Sequence, residues 1–272
     1  MKLSVSAWCL QEQLFSREIT IFDFINFCHE NGIQSIELLD CFVREEDIEE
    51  INRLLKKLDI RVSSYSVSND FVLADSSERR EQLLYIKKCM DTALALGTDI
   101  MRVFSGNLKE GVSLETAEDW IVECYREMVP FAEEKGITMV LENHGPLVGK
   151  SEQVKRILDR VGSTALKSNA DIGNFLLAND NSLEAVKNLG NRIGFVHLKD
   201  LKKTEEAEGF TALDGSIYQG VVLGKGDVPV SDIINYFKEN RYSGYLSIEY
   251  EESGDPVKGT SECINYVRGL LD

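Results

Sequence analysis

The sequence predicts an α/β protein folded as a parallel eight-stranded (β/α)8 barrel with outer helices, on three observations. Eight short β-branched runs alternate, from one end of the chain to the other, with longer segments whose apolar residues recur at helical spacing. After the first run the chain reads AWCLQEQLF, without glycine. An open doubly wound sheet, which alternates in the same way, carries its ligand on a glycine-rich turn there and normally has fewer strands. Finally, no Pro- or Ser-rich linker interrupts the 272 residues, a length at which α/β barrels form one domain. A single barrel domain over residues 1–272 is expected.

Strand one is placed at 2–8. The helix IFDFINFCHENG follows, with Thr20 as N-cap and Gly32 as its stop. Strand two covers 34–39, the helix EEDIEEINRLLKKL comes next, and strand three covers 60–67. Ser76 is the expected N-cap of the helix containing REQLLYIKKCMDTALALG, which Gly97 ends. Strand four lies at 99–104, and Gly136 marks the stop before strand five at 137–142. Strands six, seven and eight are read at 167–171, 193–198 and 245–249. Residues 201–228 form the longest irregular stretch and are a candidate active-site lid.

Composition narrows the function classes. Hydrophobic residues at 43% and charged residues at 28% are ordinary for a globular protein and exclude disorder and membrane insertion. No apolar run approaches the roughly 18 residues of a membrane span, and the opening MKLSVSAWCLQEQLF lacks a signal-peptide core. A cytoplasmic protein with no membrane partner is expected. Six cysteines occur without a C-x-x-C pair and read as reduced thiols packed as small hydrophobes. A net charge of −16 argues against nucleic acid as partner, because phosphate binding relies on clustered Lys and Arg.

Four residues stand out. Glu142, Asp171, His197 and Glu249 end the runs TMVLE, KSNAD and YLSIE or close GFVH, where strands five to eight give way to loops. Burying an ionic group costs several kcal/mol unless it is paired or metal-bound. In a barrel the loops after the strands build the site, so these residues converge on one pocket. Taken singly, a strand-end carboxylate serves as readily in a helix cap or salt bridge; four on consecutive strands point to one shared divalent cation. Three carboxylates and one imidazole suit Mn2+, Mg2+ or Co2+, and Zn2+ accepts the same groups.

Side-chain alternation brings neighbours to the same side. His144 is a candidate hydrogen-bond partner for substrate, or equally a loop histidine satisfying backbone groups. Lys199 is a candidate point charge for a substrate oxygen or phosphate, and Glu251 shares the face of Glu249. Asp200 is expected to face outward or cap the following turn. Trp8 is a candidate stacking surface for a sugar, and Phe71 and Phe104 are candidate walls, although strand-end aromatics also serve plain packing. Glu37 and Arg102 point to the same barrel mouth and are candidates for substrate contact.

LENHG at 141–145, DIGN at 171–174, HLKD at 197–200, GKGD at 224–227 and SIEYE at 247–251 together resemble the motifs of the xylose isomerase-like sugar phosphate isomerase/epimerase family of TIM barrels. IELLD at 36–40 and LGTDIMRVFSG at 96–106 extend the likeness more loosely. The resemblance implies a TIM barrel with one divalent metal held by Glu142, Asp171, His197 and Glu249. It further implies that Glu142 and Glu249, matching the epimerase pair, both bind metal and exchange the substrate proton. The cation would chelate a carbonyl and an adjacent hydroxyl and stabilise the enediolate. Return of the proton on the opposite face is epimerisation; return to the neighbouring carbon is isomerisation.

The expected function is therefore a divalent-metal-dependent isomerase or epimerase of a small sugar, sugar phosphate or related ketose. A dehydratase of an inosose or dehydroshikimate-type ring is the alternative, and a non-catalytic sugar-binding protein keeps the pocket alone. An endonuclease IV-like nuclease needs a three-metal cluster that His29, His144 and His197 cannot furnish. Asn174 departs from the family, many of whose members carry histidine there. Asparagine binds a substrate hydroxyl but is a poor metal ligand, which keeps the expected count at one metal. The resemblance also suggests a homodimer or homotetramer.

Overall fold

The computed structural model describes residues 1–252 and 254–271. Numbered in chain order, its barrel strands are β1 (Lys2–Ser6), β2 (Ser35–Leu39), β3 (Arg61–Val67), β4 (Ile100–Val103), β5 (Thr138–Glu142), β6 (Leu166–Asp171), β7 (Ile193–Leu198) and β11 (Tyr245–Ile248). They close in the order β1-β11-β7-β6-β5-β4-β3-β2, and every pairing is parallel. The (β/α)8 TIM barrel expected from the sequence is the observed fold.

The helices are α1 (Gln11–Ser16), α2 (Ile21–Glu30), α3 (Ile48–Leu58), α4 (Ser76–Ala95), α5 (Leu114–Lys135), α6 (Gly145–Val148), α7 (Ser151–Val161), α8 (Ile172–Leu177), α9 (Ser182–Leu189), α10 (Val230–Glu239) and α11 (Pro256–Leu271). Strand residues such as Ile36, Leu38, Val196 and Ile248 share one buried cluster with Phe24, Ile86, Ile233 and Val267 of the helices. Each such side chain contributes about 1.5–3 kcal/mol through burial. Thr20 caps α2 in a reciprocal box, its backbone N–H donating to Asp23 Oδ2 at 2.8 Å while Asp23 N–H donates to Thr20 Oγ1 at 3.3 Å. Gly136 ends α5 in the left-handed conformation at φ +69°.

Three boundaries differ from expectation. Asp75, not Ser76, caps α4, because its Oδ1 accepts the Ser77 backbone N–H at 2.7 Å; aspartate and serine cap equally well, so spacing could not choose. β1 stops at Ser6, whose Oγ accepts the Trp8 N–H at 3.2 Å and starts a 3-10 turn over Ala7–Leu10. Trp8 therefore projects from a turn above the strand. The stretch 201–228 is not irregular: with Asp200 it carries β8 (Asp200–Thr204), β9 (Phe210–Thr211) and β10 (Ile217–Val221) in an antiparallel sheet of order β8-β10-β9. This flap docks on α8, Leu213 N–H donating to the Leu177 carbonyl at 2.9 Å.

Candidate metal centre

Glu142 is the last residue of β5, Asp171 the last of β6, His197 the penultimate residue of β7, and Glu249 follows β11 directly. Asp171 and His197 are register partners, and Glu249 N–H donates to the Leu198 carbonyl at 3.0 Å. All four are buried, and one donor atom from each lies within 4.8 Å of the others. His197 Nδ1 is 3.5 Å from Glu142 Oε1, 3.5 Å from Glu249 Oε2 and 3.9 Å from Asp171 Oδ2.

The donor set fits a divalent cation, and Asp171 supplies the sharpest test. Its Oδ1 accepts the backbone N–H groups of Gly173 at 2.9 Å and Asn174 at 2.8 Å, capping α8. Its Oδ2 is buried without a partner among the described residues. One oxygen is thus a helix cap and the other is directed at the cluster, in need of positive charge. Asn143 fixes this strand end, accepting from Asp171 N–H at 2.8 Å and donating to the Asp171 carbonyl at 2.9 Å.

The electrostatics agree. Burial, reinforced by Glu249 and Glu142, pushes the Asp171 carboxyl well above its ordinary range, although Lys199 offsets part of the rise. Burial acts the same way on Glu142, but Arg102, whose Nε is 3.4 Å from Glu142 Oε2, and His197 outweigh it and hold that carboxyl well below the usual range. Burial would lower the His197 imidazole; Glu37 and Glu249 outweigh it and hold the imidazole well above its ordinary value. Three carboxylates crowd one imidazole, and a divalent cation would supply there the positive charge that the imidazole's proton otherwise provides.

Above the cluster opens a cavity of about 470 Å³ lined by Trp8, Arg102, Phe104, Glu142, His144, Asn174, Lys199, Phe210, Glu249 and Glu251, among others. Trp8, Arg102, His144, Asn174 and Lys199, five of the residues expected to contact substrate, line it. Asn174 Nδ2 donates to the Asn143 carbonyl at 3.1 Å and lies 3.4 Å from Glu142 Oε1, a contact with a cluster member rather than ligation. His144 packs edge-on against Phe104, ring centroids 5.1 Å apart. Lys199 pairs with Glu251, whose Oε2 accepts Trp8 Nε1–H at 2.9 Å.

Two expectations are corrected. Glu37 does not reach the cavity; it is 1% exposed beneath the cluster, where Ser66, Ser247 and His197 surround its carboxylate. Phe71 is buried against Tyr125, at 5.2 Å between ring centroids, and walls nothing. Asp200 is the cap of the GKGD loop: its carboxylate accepts backbone N–H groups of Gly224, Gly226 and Val228. Any Cβ at Gly226 would overlap that carboxylate. Phe210 on β9, Gln82 on α4 and Asn107 on the loop after β4 also line the cavity and were missed, because none of them ends a barrel strand.

A closed parallel barrel with this cluster at the carboxyl ends of its strands defines a TIM barrel whose mouth carries four side chains that could hold a cation. The family model described as xylose isomerase-like TIM barrel matches residues 25–270, and the chain belongs to that family. It is 28% identical over 171 residues to an inosose dehydratase of Clostridium perfringens, a match spanning 58% of this chain and 57% of that relative's length. Among solved structures it superposes on a D-tagatose 3-epimerase-like protein with a TM-score of 0.80 at 20% identity, covering 100% of this chain and 98% of the other. It superposes on an IOLI protein with a bound zinc atom with a TM-score of 0.81 at 18% identity, again over 100% and 98%. At these identities the two structures speak for the fold.

Proposed function

We propose that the protein is a divalent-metal-dependent isomerase or epimerase of a small sugar, sugar phosphate or related ketose. One observation carries this reading. Of the four clustered residues, Glu142 and Glu249 also line the cavity, arriving from β5 and β11, each 3.5 Å from His197 Nδ1. Two carboxylates that reach both the cluster and the cavity from separate strands can remove a proton beside a carbonyl and return one. Asp171 and His197 lie behind them and serve as plain ligands. A bound divalent cation, Mn2+, Mg2+ or Co2+ by its oxygen-rich donors and zinc by likeness to the IOLI protein, would supply Lewis-acid polarisation of the carbonyl. Arg102 keeps Glu142 ionised, the state in which it accepts a proton. Trp8, Phe104 and Phe210 offer ring faces as walls for the substrate.

A second reading, dehydration of an inosose or dehydroshikimate-type ring, is favoured by the inosose dehydratases among the relatives. It begins with the same proton removal and expels a hydroxyl, which leaves as water after protonation from the Lys199 side of the same cavity. Solvent-deuterium incorporation into a panel of ketoses and inososes, read by NMR with a divalent cation present, tests the shared step. Product mass then separates the two, because dehydration loses water. Full turnover by metal-stripped protein would overturn both. The same reading takes residues 1–272 as one barrel domain and the assembly as a homodimer or homotetramer, which analytical ultracentrifugation checks.

A further inference from the structure

Given the proposed function, on which this rests, we infer that the cavity selects an uncharged polyhydroxylated ketone and rejects a phosphate ester. Lys199 is the side chain a phosphate would seek, and its charge is already committed. Its Nζ pairs with Glu251 Oε1, while Glu251 Oε2 accepts Trp8 Nε1–H at 2.9 Å. Held at both oxygens, Glu251 cannot leave the lysine without giving up the indole. The lysine stem is fixed as well, for Gly173 faces it closely enough that a Cβ there would lie 2.7 Å from Lys199 Cγ.

The rest of the mouth is no more receptive. Arg102 lies 3.4 Å from Glu142, and at the rim Lys109 Nζ is 2.6 Å from Asp70 Oδ2. Asp70, Glu142, Glu249 and Glu251 outnumber Arg102 and Lys199 around the cavity, and Asp171 lies behind. Even with a divalent cation in the cluster the mouth reaches neutrality at most, and the chain's net charge of −16 repels a dianion at longer range. Gln82, Asn107 and Asn174 offer uncharged amides, and Trp8, Phe104 and Phe210 offer ring faces. Such a lining suits hydroxyls and C–H faces better than a phosphate.

The test titrates inorganic phosphate into Mg2+-loaded protein and follows binding by 31P NMR. Glu251→Gln frees Lys199 and is expected to bind phosphate about tenfold more tightly than wild type. The double variant Lys199→Met/Glu251→Gln, which removes the pair without changing the net charge, is expected to keep phosphate affinity within about twofold of wild type, since a cation already paired adds little to anion binding. Equal affinity in wild type and Glu251→Gln, or a loss of about tenfold in the double variant, would overturn the inference. In parallel, deuterium exchange into ketoses and inososes is compared with exchange into their phosphate esters. Faster exchange into the free compounds is expected, and faster exchange into the esters would also overturn it. Exchange into neither class would sink the proposed function, while the phosphate titration would still decide the charge selection.

Discussion

His197 Nε2 lies 3.0 and 3.1 Å from the two carboxylate oxygens of Glu37, and both side chains are 1% exposed. Two oxygens would repel a nitrogen lone pair, so Nε2 carries the hydrogen and donates it. Nδ1 is thereby left to face Glu142, Asp171 and Glu249. Ser66 and Ser247 donate to Glu37 at 2.5 and 2.8 Å and hold it in place. A carboxylate behind a ligating histidine typically changes metal affinity by about 10–100-fold. Glu37→Leu is expected to weaken Mn2+ binding by that order, measured by calorimetry on variants shown by circular dichroism to be folded. Glu37→Gln, which keeps an acceptor oxygen, should lose less. Unchanged affinity in Glu37→Leu would remove this residue from the site.

Glu142→Gln and Glu249→Gln retain shape and lose the proton-accepting group. Each is expected to reduce the rate of solvent-deuterium incorporation by about 10²–10⁴-fold. Wild-type exchange in either variant would reassign the proton transfer to another residue.

Cation binding is expected to stabilise the fold as well as activate it, because the unpartnered Asp171 Oδ2 and its repelling neighbours gain compensation. At a free concentration of 100 times Kd, binding to the native state alone adds about 2.7 kcal/mol. Scanning calorimetry with Mn2+ against a chelator should show the rise in Tm, and coincident transitions would contradict metal binding at this cluster.

Away from the site, Glu118 of α5 receives Arg156 Nε at 2.8 Å and Arg160 Nη1 at 2.9 Å from α7. The hydrogen bond from Arg156 is the largest influence, and with Arg160 it outweighs burial and holds the carboxyl below its ordinary value of 4.5. A lowered folded-state pKa means that the stabilisation is complete above the unfolded value and is lost as pH falls through the folded one. Denaturant unfolding should find Glu118→Gln less stable than wild type at pH 7, with the difference shrinking below about pH 4.3. A gap that stays constant down to pH 2 would show that packing, not charge, ties α5 to α7.

Gly220 of β10 lies against the Glu251 carbonyl so closely that a Cβ would overlap it. Gly220→Ala is expected to lift the flap, at a cost of about 1–3 kcal/mol for overpacking. Amides of β8, β9 and β10 should exchange faster while Mn2+ affinity holds. Unaltered protection would mean that the flap is seated elsewhere.

The barrel was legible because parallel strands buried on both faces read as short apolar runs between amphipathic helices. The cluster was legible for a related reason: charge at the end of a buried strand needs compensation. Glu37 was misplaced because alternation gives the face of a strand but not the depth of a side chain, and β2 slips register against β3 between Ile36 and Glu37. The strands within the candidate lid escaped notice because β8 and β9, DLKKT and FT, are short and largely polar, with no apolar alternation to betray them. Asp171 caps a helix with one oxygen and leaves the other unpartnered toward the cluster, a division invisible in a one-letter code.

The flap grows from the end of β7, with β8 beginning one residue beyond Lys199, and it lends Phe210 to the cavity without lending any residue to the cluster. A change in the flap therefore reshapes the cavity wall at Phe210 while leaving the four clustered side chains where the barrel holds them.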